Sequence, residues 1–335
     1  MNINDTIHIN YITGKTTVSC VATDKTLEQI WQSKISQFDR PVVLVSGGLD
    51  SQLAANVVKK YAKNASAIIY DLVWNHNTIN GQDLVMAQKF CDSIQLPYKV
   101  KTVDLTDFLD HQLLEFGRKY KVSSPQVASL LYAIAQTNFP KGSQLVMGGE
   151  PHFVTKDSAG NAALSIISDT NHKSGLFINY YAPFQLLAED LGISILRDIN
   201  VVSPEAQYQS IRHNIDVITR HKKIGVSNSN SLKDSMWQYK NIFYDSFDYD
   251  FILPLAKKTG FESIQIHLAA ASGVYDQFNV LYRTPLENIC RTEKWYNPNT
   301  SIVFVGGGVE YIMDQAHTLV NDTELTDISV YKIAW

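Results

Sequence analysis

Cysteine is scarce in this chain and its few copies are scattered. Only Cys20, Cys91 and Cys290 occur among 335 residues. No C-x-x-C is present, so neither a zinc cluster nor a disulfide framework is supported. Long apolar runs are also missing. No stretch of about 18 apolar residues occurs, which excludes a membrane-spanning helix. Basic charge is not in excess: the net charge of −4 gives no footprint for nucleic acid, which normally shows as a basic face. Residues 1–5 carry neither the basic region nor the apolar core of a secretory signal, so the expected compartment is the cytoplasm. The Asn-x-Ser/Thr triplets at Asn4, Asn64, Asn299 and Asn321 then count as chance matches. What remains is ordinary globular composition, 45% hydrophobic and 19% charged, with length for one large domain or two.

The most informative stretch runs from Val42 to Ser51. Val42-Val43-Leu44-Val45 reads as a buried parallel strand. Ser46-Gly47-Gly48 breaks the pattern. Leu53, Ala54, Val57, Val58 and Tyr61 then recur at helical spacing. A strand, a glycine turn and a helix in that order aim backbone N–H groups and a helix N-terminus at one point, a ready site for phosphate. Gly47 and Gly48 permit positive φ and close approach of an anion. Ser46 and Ser51 add hydroxyl donors. Asp50 suits a magnesium ion that accompanies a nucleotide. The Walker pattern is excluded, because no Lys follows the glycines, and G-x-G-x-x-G is absent at this turn.

The hexapeptide Ser46-Gly47-Gly48-Leu49-Asp50-Ser51 resembles the SGGxDS loop of the PP-loop ATP pyrophosphatases. That resemblance implies that ATP and Mg²⁺ are the cofactors. It also implies that residues 45–51 hold the pyrophosphate of ATP and that the chemistry occurs at the α-phosphorus. The order of elements from 75 to 147 is similar to the synthetase domain of asparagine synthetase and β-lactam synthetase, whose second loop has the form SGxGxDE. Here Met147-Gly148-Gly149-Glu150-Pro151-His152 stands in that place, without the Ser and the Asp-Glu pair. The resemblance makes Gly148 and Gly149 nucleotide contacts and Glu150 a second metal acid beside Asp50. Asn2 stands where glutamine-using relatives carry a nucleophilic Cys, and about 40 residues are too few for a glutaminase. Ammonia, an amine or a separate glutaminase subunit is therefore expected as donor, with a small-molecule acceptor as the other partner.

Strands are also expected over residues 7–12 and 16–21 (a hairpin), 65–70, 98–103, 144–147, 301–305 and 328–335. Helices are expected over 25–38, 82–94, 105–120, 126–138, 182–191 and 204–223, and residues 262–281 read as strand then helix. Strands alternating with helices predict an α/β fold with a parallel, doubly wound sheet of the HUP, adenine nucleotide alpha hydrolase-like type, and a helical and mixed C-terminal part. The expected divisions are residues 1–38, 39–200 and 201–335. Ligands bind at the carboxyl ends of such strands. That directs attention to Ser46–Ser51, to Leu72 and Val73 as backbone readers of adenine, and to 148–152.

Residues 151–180 are polar and glycine-marked, and read as an irregular substrate loop or surface excursion. Lys156 and Lys173 could neutralise phosphate there, and Lys173 joins Asp50 as a candidate for the chemistry. His76, His152 and His172 are loop histidines near the expected mouth. The basic end of the 204–223 helix, the aromatics from Trp237 to Phe251 and the Gly306-Gly307-Gly308 turn are read as a dipole complement, core and a tight turn. Tyr282-Arg283-Thr284-Pro285 reads as a turn. Three alternatives stand beside a ligase: a thiolation enzyme, a nucleobase-modifying enzyme and an ATP-binding sensor without turnover. Replacing Asp50 or Ser46 by Ala is expected to abolish turnover without unfolding the chain.

Overall fold

The run Val42–Leu44 (β3) forms the middle of the sheet because both of its faces are apolar. Val43 and Val45 point to one buried cluster and Leu44 to another. The structure is a computed structural model that describes residues 6–9, 16–122, 124–149, 154–156, 162–164, 175–220, 243–252, 279–293 and 302–305. Before β3 come a hairpin of β1 (Ile7–Ile9) and β2 (Thr16–Ser19) and helix α1 (Leu27–Ile35). After it come α2 (Leu49–Tyr61), β4 (Ser66–Trp74), β5 (Asn77–Thr78), α3 (Gly81–Ser93) and β6 (Tyr98–Asp104). Then follow α4 (Leu113–Tyr120), α5 (Pro125–Ala135), β7 (Gln144–Met147), β8 (Val154–Lys156), β9 (Ala162–Leu164) and α6 (Gly175–Leu191). Last are β10 (Ser194–Leu196), α7 (Pro204–Arg220), α8 (Thr284–Thr292) and β11 (Ile302–Val305).

The main sheet is α/β and mostly parallel, in the order β10-β7-β3-β4-β6. The short β5 folds back antiparallel on the end of β4. Along β4 the side chains alternate: Ala67 and Ile69 join the cluster with α1, α2 and α3, whereas Tyr70 and Trp74 join the one with α4 and α5. Burial on both faces is what a doubly wound sheet requires. The two clusters also draw in the last third of the chain, Phe243 and Tyr244 on one face and Tyr282, Leu286 and Cys290 on the other.

Strand order places the site. The chain steps outward from β3 to β4 to β6, then β7 lands on the opposite side of β3. The carboxyl ends of β3 and β7 therefore flank the point where the winding reverses, where such sheets leave a crevice.

Several expectations change. β10 adds a parallel strand that the sequence reading had missed. The expected helix over 105–120 is interrupted by a wider π turn at Phe108–Gln112, where Phe108 stacks on Tyr132 at 4.1 Å between ring centres. α6 begins at Gly175 and continues through Pro183, so it is longer than expected and takes in part of the supposed loop, which also carries the β8–β9 hairpin. Residues 282–285 are helical where a turn was expected: a π-helical segment at Asn279–Arg283 leads directly into α8. β11 pairs parallel with β2, giving a second, three-stranded sheet. The expectations at Gly306–Gly308 and 328–335, and nearly all of 262–281, lie outside the described residues. Among the described residues, no helix is long and apolar enough to cross a membrane.

Candidate active site

Gly48 is the N-cap of α2, and no side chain caps that end. The first-turn N–H groups of the helix therefore present their partial positive charge to the space beyond β3. The loop before it is tied in place from within. The Ser46 N–H and hydroxyl both donate to Ser51 Oγ, at 3.1 and 3.2 Å, and the Ser51 hydroxyl donates to the Gly48 carbonyl at 2.8 Å. Gly47 has φ +85°, and a Cβ there would lie 2.6 Å from the Asp83 carbonyl oxygen. Only glycine lets α3 approach this turn so closely.

Above the loop lies a cavity of about 450 Å³ at the ends of β3, β4 and β7. Its lining is mixed: Leu44, Ile68, Leu72, Leu130 and Met147 are apolar, and Ser46, Asp50, Ser51, Asp83 and Arg197 are polar or charged. A concave, largely apolar lining with a few polar and charged groups is the usual form of a small-molecule site. Arg197 is the cationic side chain among the described residues that line it. Its guanidinium donates to the Gly148 carbonyl and lies 5.1 Å from the Phe184 ring centre.

The residues expected from the sequence are distributed as follows. Val45, Ser46, Gly48, Asp50, Ser51, Leu72 and Gly148 line the cavity. Gly47 lies behind it, against α3. Leu72 offers no free backbone groups in this conformation: its N–H donates to Asn80 Oδ1 at 2.9 Å and its carbonyl accepts from the Ile79 N–H. Val73 pairs with Thr78 and Asp104, and its carbonyl accepts from the Leu105 N–H. Gly148 and Gly149 are close-packing positions. A Cβ on Gly148 would lie 2.3 Å from the Ser51 nitrogen, and one on Gly149 would lie 2.3 Å from Asp198 Cβ. His76 is exposed on the β4–β5 turn. Lys173, Glu150, His152 and His172 lie outside the described residues, as does the side chain of Lys156.

Five site residues escaped the sequence reading. Asn80 bridges the Tyr70 carbonyl and the Leu72 N–H, continuing the ladder where β3 has turned away. Asp83, in the first turn of α3, is a second carboxylate lining the cavity. Arg197 follows β10, and Ile195-Leu196 running into Arg-Asp was the signal for it. Asp198, 2% exposed, accepts from the Asn200 N–H and side-chain amide, both at 2.9 Å, while burial pushes its carboxyl up to about 6. Tyr244 donates a hydrogen bond to Asp50 Oδ1 from 194 residues away.

A scan against family profiles and a search of the curated proteins found no match. Solved structures similar to this chain include a "predicted subunit of tRNA methyltransferase" from Methanocaldococcus jannaschii, at TM-score 0.29 and 17% identity over 48% of this chain and 66% of that one. An NH3-dependent NAD synthetase from Campylobacter jejuni has TM-score 0.27 and 17% identity, covering 68% of this chain and 96% of that one. An NMN synthetase from Francisella tularensis has TM-score 0.27 and 15% identity, covering 73% and 93%. This chain thus spans just under two thirds of the first of these structures and nearly all of the other two.

Proposed function

We propose that the chain is an ATP-dependent, AMP-forming ligase that activates a small carboxylic acid and passes it to a nitrogen nucleophile. The observation that carries this reading is the uncapped N-terminus of α2 behind Ser46–Ser51, facing a cavity at the reversal point of a parallel sheet. A helix N-terminus favours an anion by about 0.3–1 kcal/mol at an exposed site and more where partly buried. The apolar part of the lining suits a purine, and Arg197 suits phosphate or the acid.

The residues also suit a magnesium ion. Asp50 and Asp83 are hard oxygen ligands lining the same cavity. No cluster of three metal-binding side chains occurs among the described residues, and magnesium commonly takes only one or two carboxylates, with phosphates and water completing its shell. Such an ion would supply charge neutralisation on the phosphates.

In the proposed reaction a carboxylate oxygen attacks the α-phosphorus, the bond to the bridging oxygen breaks and pyrophosphate leaves. The nitrogen then attacks the acyl carbon and AMP leaves. The N–H groups of the loop would stabilise the charge that builds on the departing pyrophosphate. The test is an acid labelled with ¹⁸O in its carboxylate, offered with ATP and ammonium. One labelled oxygen recovered in the phosphate of AMP supports adenylation. Unlabelled AMP, or label in inorganic phosphate, overturns it.

A further inference from the structure

A strap from the last third of the chain reaches the Ser46–Ser51 loop. Residues 243–252 lie along α2 and are held there by side chains of α1 and α2. Gln52, fully buried, donates to the Ile252 carbonyl and accepts from the Ile252 N–H, both at 2.8 Å. The other N–H of the same amide donates to the Gly47 carbonyl at 2.8 Å. One side chain therefore joins the strap to the glycine turn and uses its bonding capacity in doing so. Asn56, one turn further along, donates to the Asp250 carbonyl at 2.9 Å. The Tyr249 hydroxyl donates to Glu28 at 2.6 Å, anchoring the strap to α1.

At the other end, Phe243 and Tyr244 are 0% and 1% exposed. The Tyr244 ring sits 5.2 Å from Phe243 and 5.6 Å from Phe251, both near edge-on. That packing fixes the ring, and the ring aims its hydroxyl at Asp50 Oδ1. A carboxylate with two rotatable bonds gains a set direction when a buried donor holds one of its oxygens.

We propose that Tyr244 is the positioning residue for Asp50: its hydroxyl holds Oδ1 and so sets the direction in which the carboxylate meets a divalent cation accompanying the nucleotide. The assignment rests on the nucleotide reading above. It makes docking of the strap a condition for a competent loop, so residues far along the chain help to build the site around 46–51.

The test uses the full chain and two variants. Tyr244→Phe keeps the ring and removes the hydroxyl. Tyr249→Phe removes a strap hydroxyl that does not touch the loop. Manganese affinity is read by electron paramagnetic resonance in the presence of a non-hydrolysable ATP analogue, and analogue affinity without metal is read by calorimetry. The expected result is manganese binding about tenfold weaker in Tyr244→Phe, with metal-free analogue affinity within about twofold of wild type, and no change in Tyr249→Phe. Analogue binding in wild type with unchanged manganese affinity in Tyr244→Phe overturns the proposal alone. Equal losses in both variants also overturn it, since they would mark a general effect of the strap. Failure of wild type to bind the analogue overturns the nucleotide reading and this proposal with it.

Discussion

Gly48 and Gly148 sit on facing strand ends, and each is glycine for a different reason. At Gly48 the backbone is extended, with φ −73°, and an added Cβ would find nothing nearer than Ser46 Oγ at 3.7 Å. A side chain fits there, but it would stand where the proposed function has the anion approach the helix end. At Gly148 an added Cβ would lie 2.3 Å from the Ser51 nitrogen and 2.5 Å from the Asp50 carbonyl carbon. No side chain fits there, because the end of β7 is pressed against the first turn of α2. One loop leaves open space at a helix end, where the proposed function puts the anion, and the other is the wall packed against it. Gly149, packed on buried Asp198, extends the wall.

That contrast can be broken by substitution. Gly148→Ala should have the largest effect on the fold. The clash is with backbone, so chemical denaturation should show a loss of about 3 kcal/mol or more. A stable Gly148→Ala protein would mean that the wall is not tight. Asp50→Ala should cut AMP formation by about a hundredfold or more while the melting temperature stays near wild type. Asp198→Asn sharpens the account of the wall. The folded-state pKa of about 6 stands above the ordinary 3.8, so the protonated acid is the one the fold prefers. Its contribution is complete below about pH 3.8 and is lost as pH rises through 6. Urea denaturation should therefore find Asp198→Asn and wild type alike near pH 4, and the variant up to about 3 kcal/mol more stable above pH 7. Parallel stability curves would contradict this. Gly48→Ala should leave stability within about 0.5 kcal/mol of wild type yet weaken ATP binding about tenfold, as seen by calorimetry. Ser46→Ala removes an exposed hydroxyl bonded within the loop, so the abolition of turnover expected from sequence should come with a loss of only about 1 kcal/mol in chemical denaturation.

The open loop was legible in the sequence and the wall was not. Val42–Ser51 announces itself because strand, glycine turn and amphipathic helix are consecutive, and local periodicity suffices to read them. Gly148 and Gly149 were visible as glycines, but their reason is contact with Ser51 and Asp198, which no local pattern encodes. β10 was missed because three apolar residues between a helix-ending glycine and an Arg-Asp pair carry too little periodicity to be read as a strand. Pro183 obscured the true length of α6. Tyr244 was read as a core aromatic and Gln52 was not singled out, and their roles come from pairings across some 200 positions. Sheet order, which places the crevice between β3 and β7, follows from such distant pairings as well.

The most direct test of the central claim is phosphorus NMR of Mg²⁺-ATP incubated with the protein, ammonium and a pool of small carboxylic acids. The account predicts that AMP and pyrophosphate appear together, in equal amounts, and that both vanish with Asp50→Ala. ADP and orthophosphate in their place would contradict it.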